Sequence, residues 1–181
     1  ATAEFISAQT PGATVYGIGE PALFNALYDR GLTLNDVNPD YVVIGESPNY
    51  NYDAICRAVR LVQQGSRLIG CNSDLTCPTE NGLMPACRAL ISPIELATGQ
   101  SAYFVGKPNP LMMRTGLKLL GVHSQVAAII GDRMDTDIVA GIESGLDTLL
   151  VLSGVTRRAD LSHSPYRPRL VLNGVGEIPP T

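Results

Sequence analysis

Short apolar runs alternate with longer amphipathic segments along the whole chain. The runs lie at 15–18, 41–45, 67–70, 102–105, 127–131 and 148–152, with a weaker one at 170–172. They are aliphatic and β-branched, and Gly, Pro or Asn bounds them. Such runs predict strands buried on both faces of a mainly parallel sheet. Between them the spacing turns helical. Over 52–64, Ile55, Val59 and Val62 recur every three to four residues with Ala58 and Leu61 alongside, the stripe of a helix that buries one face. Asn51 supplies an N-cap, Asp53 an acidic first turn and Gly65 a stop. A second helix is predicted over 110–120, capped by Asn109 and opened by Pro110, where no N–H is needed. A third is predicted over 135–144, ended by Gly145. Strand–helix–strand order makes the fold class α/β, with right-handed crossovers.

The stretch 72–82 breaks this rhythm. Asn72, Ser73, Asp74, Pro78, Asn81 and Gly82 make it polar and rich in turn formers, so an irregular, substrate-facing loop is expected there. After Gly154 several Pro and Arg residues predict a segment that wraps the surface.

With 181 residues the chain has room for one domain, or for a small domain and part of another. Its hydrophobic content of 45% is enough for a buried core. The net charge of −4 speaks against a nucleic-acid binder, which needs clustered Lys and Arg. No apolar run approaches the roughly 20 residues of a membrane span. Ala1-Thr2-Ala3-Glu4-Phe5-Ile6 has no basic region and no long apolar stretch, so a signal peptide is not expected; lacking Met and opening on helix, it reads as a cut start. The cysteines at 56, 71, 77 and 87 form no Cys-x-x-Cys pair. Structural roles and a reducing, cytoplasmic setting are expected of them.

Three segments could carry chemistry. In the first, an apolar strand at 127–131 ends in Gly131 and runs into Asp132, Asp135 and Asp137. In open α/β sheets the carboxyl edge of the strands is where ligands bind. Asp132 and Asp137 could face one hard cation such as Mg²⁺, which takes oxygen ligands. They could equally be loop and cap aspartates, and Asp135 suits a helix start. In the second, Lys107 follows the strand at 102–105 and precedes the helix at 110–120, where its ammonium could meet a phosphoryl oxygen; an ordinary surface lysine is the alternative. In the third, Gly17-Ile18-Gly19-Glu20-Pro21-Ala22 follows a strand and resembles a dinucleotide-binding turn. Glu20 and Pro21 fit a pyrophosphate poorly, which favours a plain tight turn. His123 and His163 have no evident nucleophile partner and are expected at the surface.

Together, Val-Gly-Lys-Pro at 105–108 and Ile-Gly-Asp-Arg-Met-Asp-Thr-Asp at 130–137 resemble the third and fourth motifs of the haloacid dehalogenase (HAD) superfamily. The closer resemblance is to its NagD-type branch, subfamily IIA, which includes p-nitrophenyl, phosphoglycolate and pyridoxal phosphate phosphatases. Asp36-Val37-Asn38-Pro39-Asp40-Tyr41-Val42-Val43-Ile44-Gly45, Cys71-Asn72-Ser73-Asp74, Ala140-Gly141 with Gly145, and Leu150-Val151-Leu152-Ser153-Gly154-Val155 extend it over nearly the whole chain. The resemblance implies a Rossmann-like core with an inserted α/β cap: 1–12 a remnant of the core, 13–100 the cap, 101–181 the C-terminal half of the core. It implies Mg²⁺-dependent hydrolysis of small phosphorylated metabolites through an aspartyl-phosphate. Lys107 would steady the nucleophile and the phosphoryl group. Asp132 would bind Mg²⁺ directly, and Asp137 would support it, directly or through water. Asn72, Asp74 and Glu80 would face the substrate, and a cap-mediated homodimer is allowed.

Members also carry an early Asp-x-Asp-Gly, one Asp attacking phosphorus and the other serving as acid and base. The 181 residues contain no such motif. The expectation is therefore a truncated phosphatase chain, inactive alone. Two other readings stay open, a nucleotide-binding α/β module using the Gly17–Gly19 turn and a non-catalytic interaction protein.

Overall fold

The computed structural model describes residues 1–178. By its contacts the chain divides into two compact units, Ala1–Gly106 and Lys107–Thr181.

The first unit opens with helix α1 (Thr2–Gln9) and then alternates strand and helix: β1 (Thr14–Ile18), α2 (Pro21–Tyr28), β2 (Thr33–Leu34), β3 (Tyr41–Ile44), α3 (Tyr52–Gln63) and β4 (Arg67–Gly70). A hairpin, β5 (Thr76–Thr79) with β6 (Gly82–Pro85), leads to α4 (Cys87–Thr98) and β7 (Tyr103–Phe104). The sheet order is β2-β1-β3-β4-β7 and every pair is parallel. The central strand β3 is buried along its length, as its unbroken Tyr-Val-Val-Ile run predicts. Val42 and Ile44 pack with Ala58, Leu61 and Val62 of α3 and with Ile91 and Ile94 of α4 in one core. Each fully buried Ile or Leu contributes about 1.5–3 kcal/mol relative to exposure.

Predicted caps hold. Asn51 Oδ1 accepts the Ala54 N–H at 3.0 Å, and Gly65 takes a positive φ of 113° just beyond α3. The end of α1 is tied to the sheet: Tyr41 Oη contacts Thr10 Oγ1 at 2.9 Å and accepts from Arg67 Nη1 at 2.8 Å. The Arg67 guanidinium also lies over the Tyr41 ring, and Phe5 of α1 stacks on Tyr103 of β7 at 5.0 Å.

One expectation is corrected here, and the reading of a tight turn at Gly17–Gly19 gains a packing reason. The stretch 72–82 is not wholly irregular, because 76–79 and 82–85 pair antiparallel around a turn at Glu80-Asn81. Alternation was hidden by Pro78 and Pro85, which an isolated two-stranded ribbon tolerates. The glycines at 17 and 19 serve packing within the unit. A Cβ at Gly17 would lie 2.7 Å from Phe24 Cε1, and one at Gly19 2.6 Å from Leu23 Cδ2, so both clear space for side chains of α2.

All four cysteines are free thiols. Cys71 closes β4, and burial pushes its thiol up to about 11 from an ordinary 9.0. Cys87 is fully buried and donates to the Ile44 carbonyl at 3.1 Å; its thiol is also raised, chiefly by burial. Cys77 is exposed on the hairpin. At pH 8 a disulfide reagent should therefore modify Cys77 rapidly and leave Cys71 and Cys87 protected, as peptide mapping would show. Because the folded Cys71 value exceeds the unfolded one, its contribution to stability is complete below pH 9 and declines toward pH 11. The urea midpoint should fall over that window, less so in Cys71→Ala.

The second unit contains α5 (Pro110–Leu120), β8 (Ala128–Gly131), α6 (Val139–Glu143), β9 (Asp147–Val151) and β10 (Leu170–Leu172). Asn109 Oδ1 caps α5 through the Leu111 N–H at 3.0 Å. The sheet is parallel in the order β10-β9-β8. Met134, Ile138 and Leu150 form its buried cluster, with Leu152, Leu161, Tyr166 and Val171 packed against it. The segment after Gly154 thus turns back into the sheet as β10. Among the described residues no helix is long and apolar enough to cross a membrane.

Candidate active site

In the second unit two loops leave the carboxyl ends of adjacent parallel strands, 132–138 after β8 and 152–157 after β9. Asp137 anchors the first. It is 4% exposed, and its Oδ2 accepts the backbone N–H groups of Asp132 and Arg133, both at 3.1 Å. Its Oδ1 takes the Lys107 ammonium in an ion pair. The chain doubles back through one π-helical turn, Met134–Ile138, closed by Ile138 N–H to the Arg133 carbonyl at 3.1 Å. The helix predicted over 135–144 begins with this wider turn, which swings Asp137 inward. Gly131 is required by the same contact, since a Cβ there would fall on the Asp137 carboxyl group.

Asp132 is held differently. Its Oδ2 accepts the Val155 N–H at 2.7 Å and its carbonyl accepts the Thr156 N–H at 3.0 Å. Its Oδ1 receives no hydrogen bond from the described residues. Asp135 plays no part in this cluster. It points outward and takes the Arg133 guanidinium in a fork, Nε to Oδ1 at 3.1 Å and Nη2 to Oδ2 at 2.8 Å.

Lys107, Asp132 and Asp137 are thus brought together, with a division of labour that spacing did not reveal. A Mg²⁺ ion is satisfied by one or two carboxylates and retains water. Asp132 has one oxygen open for such an ion, whereas both Asp137 oxygens are engaged by protein donors. No three His, Cys, Asp or Glu side chains among the described residues form a ready-made metal cage. The donor set therefore fits a hard cation bound through Asp132, with Asp137 acting behind it on the loop and on Lys107.

The substrate candidates lie in the first unit. Asn72 Nδ2 donates to Glu46 Oε1 at 3.1 Å, and Asn72 Oδ1 accepts the Asp74 N–H at 3.1 Å. Asn72 and Asp74 therefore share one turn with Glu46, which the sequence pattern did not single out. Glu80 is exposed in the hairpin turn, at the far end of β5 from Asp74. Gly106 also escaped notice: its N–H donates to the Cys71 carbonyl at 2.9 Å, and a Cβ there would lie 2.5 Å from that oxygen. His123 and His163 are exposed, as expected.

Comparison with known proteins converges on one family. Residues 104–178 match the HAD-hydrolase-like family model. The ribonucleotide monophosphatase NagD of Escherichia coli K12 is 42% identical over 178 residues, 98% of this chain and 70% of that protein. The chain is a member of the haloacid dehalogenase superfamily, NagD-type branch. The solved structure of E. coli NagD superimposes on this NagD-type chain with a TM-score of 0.90, covering 98% of it and 70% of that chain. A dihydroxyacetone phosphatase of Corynebacterium glutamicum is 43% identical; the match takes in 98% of this chain but only 65% of that protein's length. The segment matched by the family model contains Lys107, Asp132 and Asp137.

Proposed function

We propose that this NagD-type chain carries the metal and lysine half of a phosphomonoester hydrolase site. The observation that supports it most is the Lys107–Asp137 ion pair beside an Asp132 carboxylate with one open oxygen. Held by Asp137, the Lys107 ammonium is a preorganised cation for a phosphoryl oxygen whose charge grows in the transition state. Asp137 also fixes the Asp132 and Arg133 amides, so the loop need not reorganise on binding. A Mg²⁺ ion bound through Asp132 would supply charge neutralisation at the phosphoryl group. The first unit would carry the cap of 13–100, with Asn72, Asp74 and Glu80 reading the rest of a small phosphorylated metabolite. The names of the relatives, one a ribonucleotide monophosphatase and one a dihydroxyacetone phosphatase, favour such substrates. A cytoplasmic setting and a cap-mediated homodimer belong to the same proposal.

The covalent route of this family uses an attacking carboxylate from Asp-x-Asp-Gly, which the 181 residues do not contain. We therefore expect the chain by itself to give no Mg²⁺-dependent turnover of p-nitrophenyl phosphate. A chimera joining it to the part of E. coli NagD that it does not match should hydrolyse that ester, stop in EDTA, and lose roughly 10²–10³-fold in kcat on Lys107→Ala. Turnover by the 181 residues alone, or an active chimera indifferent to Asp132→Asn, would contradict the proposal.

A further inference from the structure

The loop after β9 grips Asp132 at two points and the turn behind it at a third. The Val155 N–H donates to Asp132 Oδ2 at 2.7 Å, and the Thr156 N–H donates to the Asp132 carbonyl at 3.0 Å. The Thr156 hydroxyl, 7% exposed, then accepts the Met134 N–H at 3.2 Å from the far side of the same loop. Gly154 completes the grip by omission, because a Cβ at that position would coincide with the Asp132 carboxylate. The four contacts have one geometric result. They occupy Oδ2 with the Val155 amide and hold the Asp132 backbone and the turn behind it, leaving Oδ1 as the oxygen with no hydrogen bond from the described residues.

We infer that Gly154, Val155 and Thr156 form a positioning clamp that presents Asp132 Oδ1 to a divalent cation. The inference rests on the reading of Asp132 as the metal-holding carboxylate. None of the three touches the cation; they act through Asp132 and the Met134 backbone. Partners one step behind a metal ligand commonly matter roughly 10–100-fold in metal affinity, because they set its orientation. A loop that only closed the fold would alter stability and leave that affinity alone. The clamp predicts the opposite emphasis.

Two measurements on the 181-residue chain separate the clamp from the metal reading. The first needs no metal: residue-resolved amide exchange. The Val155 amide should exchange at least about tenfold slower in the wild type than in Asp132→Ala, and the Met134 amide slower than in Thr156→Val. Equal rates in both comparisons would mean that the grip does not exist in solution. The second is Mn²⁺ affinity by water-proton relaxation. Thr156→Val and Gly154→Ala should each weaken Mn²⁺ binding roughly tenfold or more, with Thr156→Ser close to wild type. Gly154→Ala deletes no donor or acceptor and acts by pushing the Asp132 carboxylate aside, so it covers the case in which Thr156→Val fails to fold. Loss of Mn²⁺ in Asp132→Ala with full affinity in both Thr156→Val and Gly154→Ala would overturn the clamp and leave the metal reading intact. No Mn²⁺ binding by the wild type would overturn both.

Discussion

Expressed on their own, residues 1–106 are expected to unfold as one cooperative unit, whereas 107–181 are expected to stay poorly folded. The first segment owns a two-sided core: β3 is buried along its length, and Ile44, Ile91 and Ile94 are fully buried. The second buries few apolar side chains among its described residues, namely Met134, Ile138, Ala140, Leu150 and Val151. Helix α5 contributes none, although it carries Leu111, Met112, Met113 and Leu117. Leu119 and Leu120 are 83% and 72% exposed, and Ile130 on the edge strand β8 is 46% exposed. A short segment with that little burial cannot offset a conformational entropy cost of about 1–2 kcal/mol per residue, and its bare edge invites association. Dispersed amide spectra and a single urea transition are expected for 1–106. A collapsed spectrum and concentration-dependent association are expected for 107–181. A well-dispersed, monomeric 107–181 would show that the small cluster around Leu150 is sufficient.

In the 181-residue chain, Asp137→Ala should lower stability in urea unfolding by about 2–4 kcal/mol, among the largest single-residue effects available in 107–181. The change strips two backbone amides and one ammonium of their acceptor at a position that is 4% exposed. The estimate stays at the low side for the ion pair, because the Lys107 side chain is 36% exposed and water can take over part of its solvation. Asp137→Asn, which keeps an acceptor and removes the charge, should lose about half as much. A loss below about 1 kcal/mol for Asp137→Ala would mean that solvent replaces the carboxylate freely, so the loop would not be preorganised.

Much of the architecture was legible from local pattern because parallel strands and amphipathic helices leave short-range signatures. The runs at 41–45 and 67–70 and the caps at Asn51 and Asn109 lie where pattern and side-chain chemistry put them. The hairpin at 76–85 was missed because its prolines and exposed positions break the alternation that marks a half-buried strand. The three charged residues of the candidate site could also be singled out, since Lys107, Asp132 and Asp137 lie in the segments that follow apolar strands.

Their roles came from the family resemblance alone and not from spacing. Spacing makes Asp132 and Asp137 equivalent, and only the π-helical turn distinguishes them by sinking Asp137 against two amides and Lys107. Nor does any local signal tie Gly154, Val155 and Thr156 to Asp132, more than twenty residues away; parallel pairing of β8 with β9 brings the two loops together. The sequence by itself determined the α/β order, the limits of the two helices capped by Asn51 and Asn109, and the family, because these follow from periodicity, capping and contiguous motifs. Only the tertiary structure decided which carboxylate is open and what holds it, because a hydrogen bond between loops depends on strand register rather than on neighbouring residues.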